Sequence, residues 1–141
     1  MSVVEANGQG DYFANHARAR QFPWTLYHQP LEKDLGKFLG HVEPGEVLVI
    51  GCGLLQEIDV APDNLTYFVV DIDGRAVDAV RERNDPRIVG GCVVPPETPL
   101  DQVLGDVLGD DHRFAAIYAK EVVEHVLAWP AWLVGLRRSL I

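Results

Sequence analysis

Two short segments, Val47-Leu48-Val49-Ile50 and Tyr67-Phe68-Val69-Val70, are apolar at every position. A run of this kind suits a strand buried on both faces, as in a parallel sheet. Around them the period changes. Leu31, Leu35, Phe38, Leu39 and Val42 recur with helical spacing and predict an amphipathic helix over 31–42. Gly36 and Gly40 weaken it by about 1 kcal/mol each. Glu43-Pro44-Gly45-Glu46 reads as a turn. A second helix follows Asp71-Ile72-Asp73, with Ala76, Val77 and Val80 inward and Arg75, Arg81, Glu82 and Arg83 outward, until Asn84-Asp85-Pro86 stops it. Asp73 could serve as its N-cap. A weaker strand over 87–94 is interrupted by Gly90-Gly91. Thr98 as N-cap, Pro99 at the first helical position and Asp101 reaching back predict a helix start. Leu100, Val103, Leu104, Val107 and Leu108 continue that helix and Gly109 ends it. A fourth strand is expected over 114–119, then helices over 121–128 and 130–140 with a break near Trp129-Pro130. The stretch 12–30 is rich in aromatics and histidine (Tyr12, Phe13, His16, Phe22, Trp24, Tyr27, His28) and predicts short helical pieces punctuated by Pro23 and Pro30. Residues 1–11 are small and polar and predict a loose tail.

Strands alternating with helices in this order predict an α/β fold, an open parallel sheet with right-handed crossovers. In such sheets ligands bind beyond the carboxyl ends of the strands. The unusual residues of this chain fall at that edge.

Composition narrows the function classes. At 141 residues the chain is one domain long. A globule of this size buries roughly two-thirds of its unfolded surface, enough for a core without staples. Its 48% hydrophobic and 23% charged residues disfavour disorder and coiled coil. A net charge of -9 argues against general attraction to phosphate backbones, so no nucleic-acid partner is expected. No apolar run approaches the roughly 18 residues needed to span a bilayer, so no membrane partner is expected either. The first residues, MSVVEANGQGDYF, lack the basic and apolar regions of a signal peptide. Cys52 and Cys92 make no disulfide framework and read as reduced thiols of a cytoplasmic protein. No cluster has the spacing of a metal site.

The first strand runs directly into Gly51-Cys52-Gly53. Glycines there allow a sharp turn and close approach of a ligand to the backbone. A tight strand exit with no ligand explains the pair equally well, because a lone Gly-x-Gly is weak. Asp71 ends the second strand, downstream of the glycines by about the 20 positions that separate a glycine turn from a ribose-binding acid. Two carboxylate oxygens match two ribose hydroxyls; the plainer reading of Asp71 is a helix N-cap, a part that Asp73 could play instead. Gln56 stands where a dinucleotide fingerprint wants its third glycine, and no Gly-Lys-Ser/Thr phosphate loop is present. The segment LLQEIDVAPDNL leaves room for one helical turn at most, so a nucleoside without phosphates fits best.

VLVIGCG, YFVVDID and FAAIYAKEVVEH together resemble the successive cofactor motifs of class I S-adenosylmethionine-dependent methyltransferases. The likeness is to the branch whose fourth strand ends in Glu-Val-x-Glu-His, and it covers roughly 31–140. It implies a Rossmann-like sheet in the order 3-2-1-4, a Rossmann-like domain over 31–141, and a tail and aromatic lid over 1–30. By the same likeness Gly51, Cys52 and Gly53 would line the methionine part of S-adenosylmethionine. Asp71 would bind the ribose and Ile72 would pack on the adenine. Cys92 stands nearest to where an acid commonly meets the adenine. Ala119, Lys120 and Glu121 would face the cofactor from the end of strand four. His125 could act as a general base on the acceptor; the plainer reading is a helix residue bonded to its neighbours.

Three positions depart from the family pattern: Val49 where an acid often stands, Leu55 where a third glycine is usual, and Cys92. The usual strands five to seven are absent, so the resemblance implies a fold truncated after strand four. Strand four would then lie at an edge, and an apolar edge invites pairing. A homodimer through that edge or through the C-terminal helices is expected, or a longer parent protein. The activity implied is methyl transfer to a small-molecule acceptor. The alternative is a catalytically silent methyltransferase-like module for binding or dimerisation.

Overall fold

The computed structural model describes residues 25–95, 97–120 and 129–141. β1 (Gly45–Ile50) is the central strand, and that position explains its composition. Val47, Leu48 and Val49 are wholly buried and Ile50 nearly so, because both faces and both edges of the strand are covered. β2 (Leu65–Asp71) pairs with β1 from Gly45↔Leu65 to Ile50↔Val70. β4 (Ala116–Ala119) lies on its other side, and β3 (Ile88–Val93) lies outside β2. All pairings are parallel and the order is β3-β2-β1-β4, the arrangement expected.

Helices cover both faces. On one face α1 (Thr25–Leu39), a 3-10 turn (Gln56–Val60) and α2 (Gly74–Glu82) enclose a core of Leu39, Val47, Val49, Ile58, Tyr67, Val69, Ala76 and Val80. On the other, α3 (Leu100–Leu108) and α4 (Trp129–Arg137) enclose Leu48, Ile50, Phe68, Val70, Phe114, Leu104 and Leu136. The alternation of these two sets along β1 and β2 is the period-2 geometry of a strand. No helix among the described residues is long and apolar enough to cross a membrane.

Several local expectations change. The helix expected over 31–42 starts earlier and ends sooner, and it carries Pro30 inside it. Pro30 forfeits one backbone bond, yet its position on an exposed face spares the packing. Gly90 and Gly91 do not interrupt β3, since they pair with Phe68 and Val69; the irregularity lies at Val89, which is bulged out between Tyr67 and Phe68. Pro99, not Thr98, caps α3, and no side chain bonds the cap. Asp73 does cap α2, accepting from the Arg75 amide at 2.9 Å.

The fourth strand is shorter than 114–119. Residue Phe114 instead bridges in parallel to Leu140. Its amide donates to the Ser139 carbonyl at 2.7 Å, and its carbonyl accepts from the Ile141 amide at 3.1 Å. The outer edge is thus taken at Phe114, while among the described residues Ala116–Ala119 pairs only with β1. The helix expected over 121–128 and most of the aromatic segment lie outside the described residues.

Candidate functional site

β1 and β2 end side by side, with Ile50 opposite Val70, so the two features singled out in the sequence meet at one rim. The Gly51 amide still follows the sheet, donating to the Val70 carbonyl at 2.9 Å. The chain then bends through Gly51 (φ 71°) and Gly53 (φ 50°), both in the left-handed region that glycine adopts without a Cβ clash. The Gly53 amide donates to Asp71 Oδ2 at 3.3 Å, and the Asp73 amide donates to Oδ1 at 2.9 Å. The Cys52 thiol faces Oδ2 at 3.8 Å. A carboxylate offers about four acceptor positions. Asp71 therefore keeps acceptor capacity beyond these bonds, and the bond to Gly53 is the long, exchangeable one.

Ile72 is 55% exposed beside this carboxylate, an apolar side chain left uncovered at the rim. Cys52 is wholly buried, and burial, with Asp71 second, pushes its thiol pKa far up. A thiol held protonated is no nucleophile. Cys92 lies opposite Val70 within β3 and packs against the cluster under α3 and α4. Burial raises its pKa as well. Val93, not Cys92, is the residue opposite Asp71.

Ala119 packs against the same apolar cluster as Cys92. Lys120 directly follows β4, its amide donating to the Ile50 carbonyl at 3.3 Å and its ammonium to Glu57 Oε2 at 2.9 Å. Glu57 has no exposed surface, and its other oxygen accepts from the Tyr118 hydroxyl at 2.8 Å. Burial first, and then the Glu57 charge, drive the Tyr118 pKa well up. Desolvating a carboxylate and an ammonium costs several kcal/mol per ion, so each holds its place only because the other faces it. Glu57 was missed because it lies in a segment read only as too short for more than one helical turn. Its only sequence signal is a charge set between Leu55 and Ile58. On this face Val49 belongs to the apolar core, so the buried carboxylate comes from the 3-10 turn instead of β1.

The bend is continued by Leu55, whose φ of 53° and ψ of 42° are also left-handed. For a residue with a Cβ this costs about 1–2 kcal/mol. Two contacts fix the segment after it. Gly36 of α1 lets the helix close on Val60, where a Cβ would stand 2.8 Å from a Val60 methyl. Two arginines bond its carbonyls: Arg83 to Leu54 at 3.0 Å and Leu55 at 2.6 Å, and Arg87 to Ile58 at 3.0 Å. Arg83 also pairs with Asp59. The sequence reading of Arg83 as a solvated helix residue is thus corrected, because its long side chain turns back onto the protein. Glu121 and His125 lie outside the described residues.

No family model matches the chain, and no curated protein matches it. Solved structures do. The CurJ carbon methyltransferase is similar over 90% of this chain and 35% of its own, with a TM-score of 0.62 and 20% identity. A putative methyltransferase solved in complex with the Haloferax volcanii Trm112 methyltransferase activator is similar over 89% of this chain and 54% of its own, with a TM-score of 0.59 and 16% identity. The chain therefore shares the fold of methyltransferases and spans between about a third and about half of their length.

Proposed function

We propose that this chain carries the cofactor-binding part of an S-adenosylmethionine-dependent methyltransferase. The observation that carries the reading is the meeting of the Gly51–Gly53 bend with the Asp71 carboxylate at the ends of adjacent central strands. The residues present fit the group. The bend turns through two left-handed glycines, Gly51 partly exposed and Gly53 buried against Asp71, Asp71 retains acceptor capacity, and Ile72 presents an apolar surface beside it. Gly51, Cys52 and Gly53 would hold the methionine end through the backbone, Cys52 contributing only its main chain because its thiol is buried. Asp71 would accept from the ribose hydroxyls by giving up its bond to Gly53. Ile72 would pack on the adenine, with β3 near Cys92 and Val93 flanking it. Ala119, Lys120 and Glu121 would border the site from β4, Lys120 with its ammonium already committed to Glu57.

When bound, the cofactor supplies a methyl group on a sulfonium, already a good leaving group. The chain's task is then alignment: holding one partner in line with the other removes much of the entropic barrier of a bimolecular displacement. A base is needed only where the acceptor must lose a proton, and His125 is our candidate for it. The acceptor we favour is a small molecule. Two copies would pair through the edge of β4 that is unpaired among the described residues, or through the C-terminal helices, where Leu133 and Val134 are exposed.

The second reading, a silent binding module, is favoured by one observation: both Asp71 oxygens already have donors within the protein. Titration calorimetry with S-adenosylhomocysteine separates the two. Micromolar binding, weakened at least tenfold in Asp71→Ala, supports the enzyme reading. A folded chain that takes up no ligand at millimolar concentration supports the module.

A further inference from the structure

We infer that Arg83 is a positioning residue for the bend, setting affinity for the adenosyl ligand without touching it. The inference rests on the cofactor reading above. Leu55 stands in a left-handed conformation that a glycine would take freely, so the bend depends on outside contacts to stay put. Arg83 supplies them. One of its terminal nitrogens bonds the Leu54 and Leu55 carbonyls together, and the other is held by Asp59. The Arg83 side chain is only 21% exposed and that of Asp59 is 57% exposed, so the acid holds the fork from the solvent side while the fork grips the backbone. The gripped carbonyls directly follow Gly53, whose amide contacts Asp71. Release of Leu54 and Leu55 therefore loosens the register between bend and carboxylate on which two-point capture of a ribose depends. A planar fork makes these bonds from a fixed geometry; an ammonium in its place serves one carbonyl well.

The experiment combines amide hydrogen exchange with S-adenosylhomocysteine calorimetry on the full chain, for wild type, Arg83→Met, Arg83→Lys and Asp59→Asn. Arg83→Met is expected to speed exchange at Gly53 and Leu55 at least tenfold while Val47–Ile50 stay protected, and to weaken ligand binding roughly tenfold. Arg83→Lys should fall between, and Asp59→Asn, which keeps both carbonyl bonds, should change either readout less than threefold. Uniform loss of protection through β1 overturns the proposal in favour of plain structural support. So does an unchanged Gly53 and Leu55, or a loosened bend with unaltered affinity. A wild type that binds no ligand overturns the cofactor reading and the affinity claim with it, while the exchange pattern still decides whether Arg83 holds the bend.

Discussion

The two faces of the sheet are sealed by different chemistry. Under α3 and α4 the core is Leu48, Ile50, Phe68, Val70, Phe114, Leu104 and Leu136, hydrocarbon throughout. Under α1 and α2 the same strands bury Cys52, Tyr67 and Tyr118, with the Glu57 carboxylate among them. The Tyr67 hydroxyl has no bonding partner among the described residues, and burial pushes its pKa up to about 12. An apolar face gains from every buried methylene and asks little of geometry. A polar face loses stability for each donor left without an acceptor, as at Tyr67, and where the bonds are made it fixes positions. The polar face is the one beneath the bend and Asp71. The comparison teaches that one face supplies adhesion and the other holds the rim in place.

The largest effects should separate the faces by what restores the lost stability. Phe114→Ala empties a fully packed site on the apolar face and should cost about 3–5 kcal/mol at any pH. Lys120→Met leaves the Glu57 carboxylate buried with Tyr118 alone and should cost a similar amount, about 3–5 kcal/mol, near neutral pH. Urea titrations check both costs. Adding Glu57→Gln to Lys120→Met should recover part of the Lys120→Met deficit, because it removes the carboxylate left without its ammonium. No recovery would show that the unpaired carboxylate is not the source of the loss.

Tyr118→Phe removes one bond to the same carboxylate while keeping the ring, and should cost about 1.5–3 kcal/mol. A cost near zero would mean that Lys120 alone satisfies Glu57. The smallest effect lies at the far end of the polar face. The Arg87 hydrogen bonds hold Asp85 at a pKa of about 2, below its ordinary value of 3.8. A depressed acid contributes stability that is fully present above its unfolded pKa and is lost as pH falls through the folded one. Asp85→Asn should therefore flatten the acid limb between about pH 4 and pH 2, read as the urea midpoint at each pH.

Legibility followed the range of the interaction. The apolar runs at 47–50 and 67–70 announced buried strands because a strand covered on both faces admits little else. The pairing of Gly53 with Asp71 could be anticipated, since parallel neighbouring strands bring their carboxyl ends together. Arg83 could not. Helical periodicity fixes the direction of a Cβ, but an arginine reaches several ångströms beyond it and can turn back. Thr98 misled because a capping pattern states what could bond, and the chain there placed Pro99 at the cap instead. Cys92 was one residue away from the position facing Asp71, and only the register across the Val89 bulge shows it.

The sequence by itself determined the parallel sheet, its order of elements and the rim where glycine and carboxylate converge, because these follow from local periodicity and from the connectivity of right-handed crossovers. Tertiary structure alone decided that Glu57 is buried against Lys120 and Tyr118, and that Arg83 grips the bend. Those contacts join residues far apart in the chain, and their energies depend on distance and desolvation, which no linear pattern encodes.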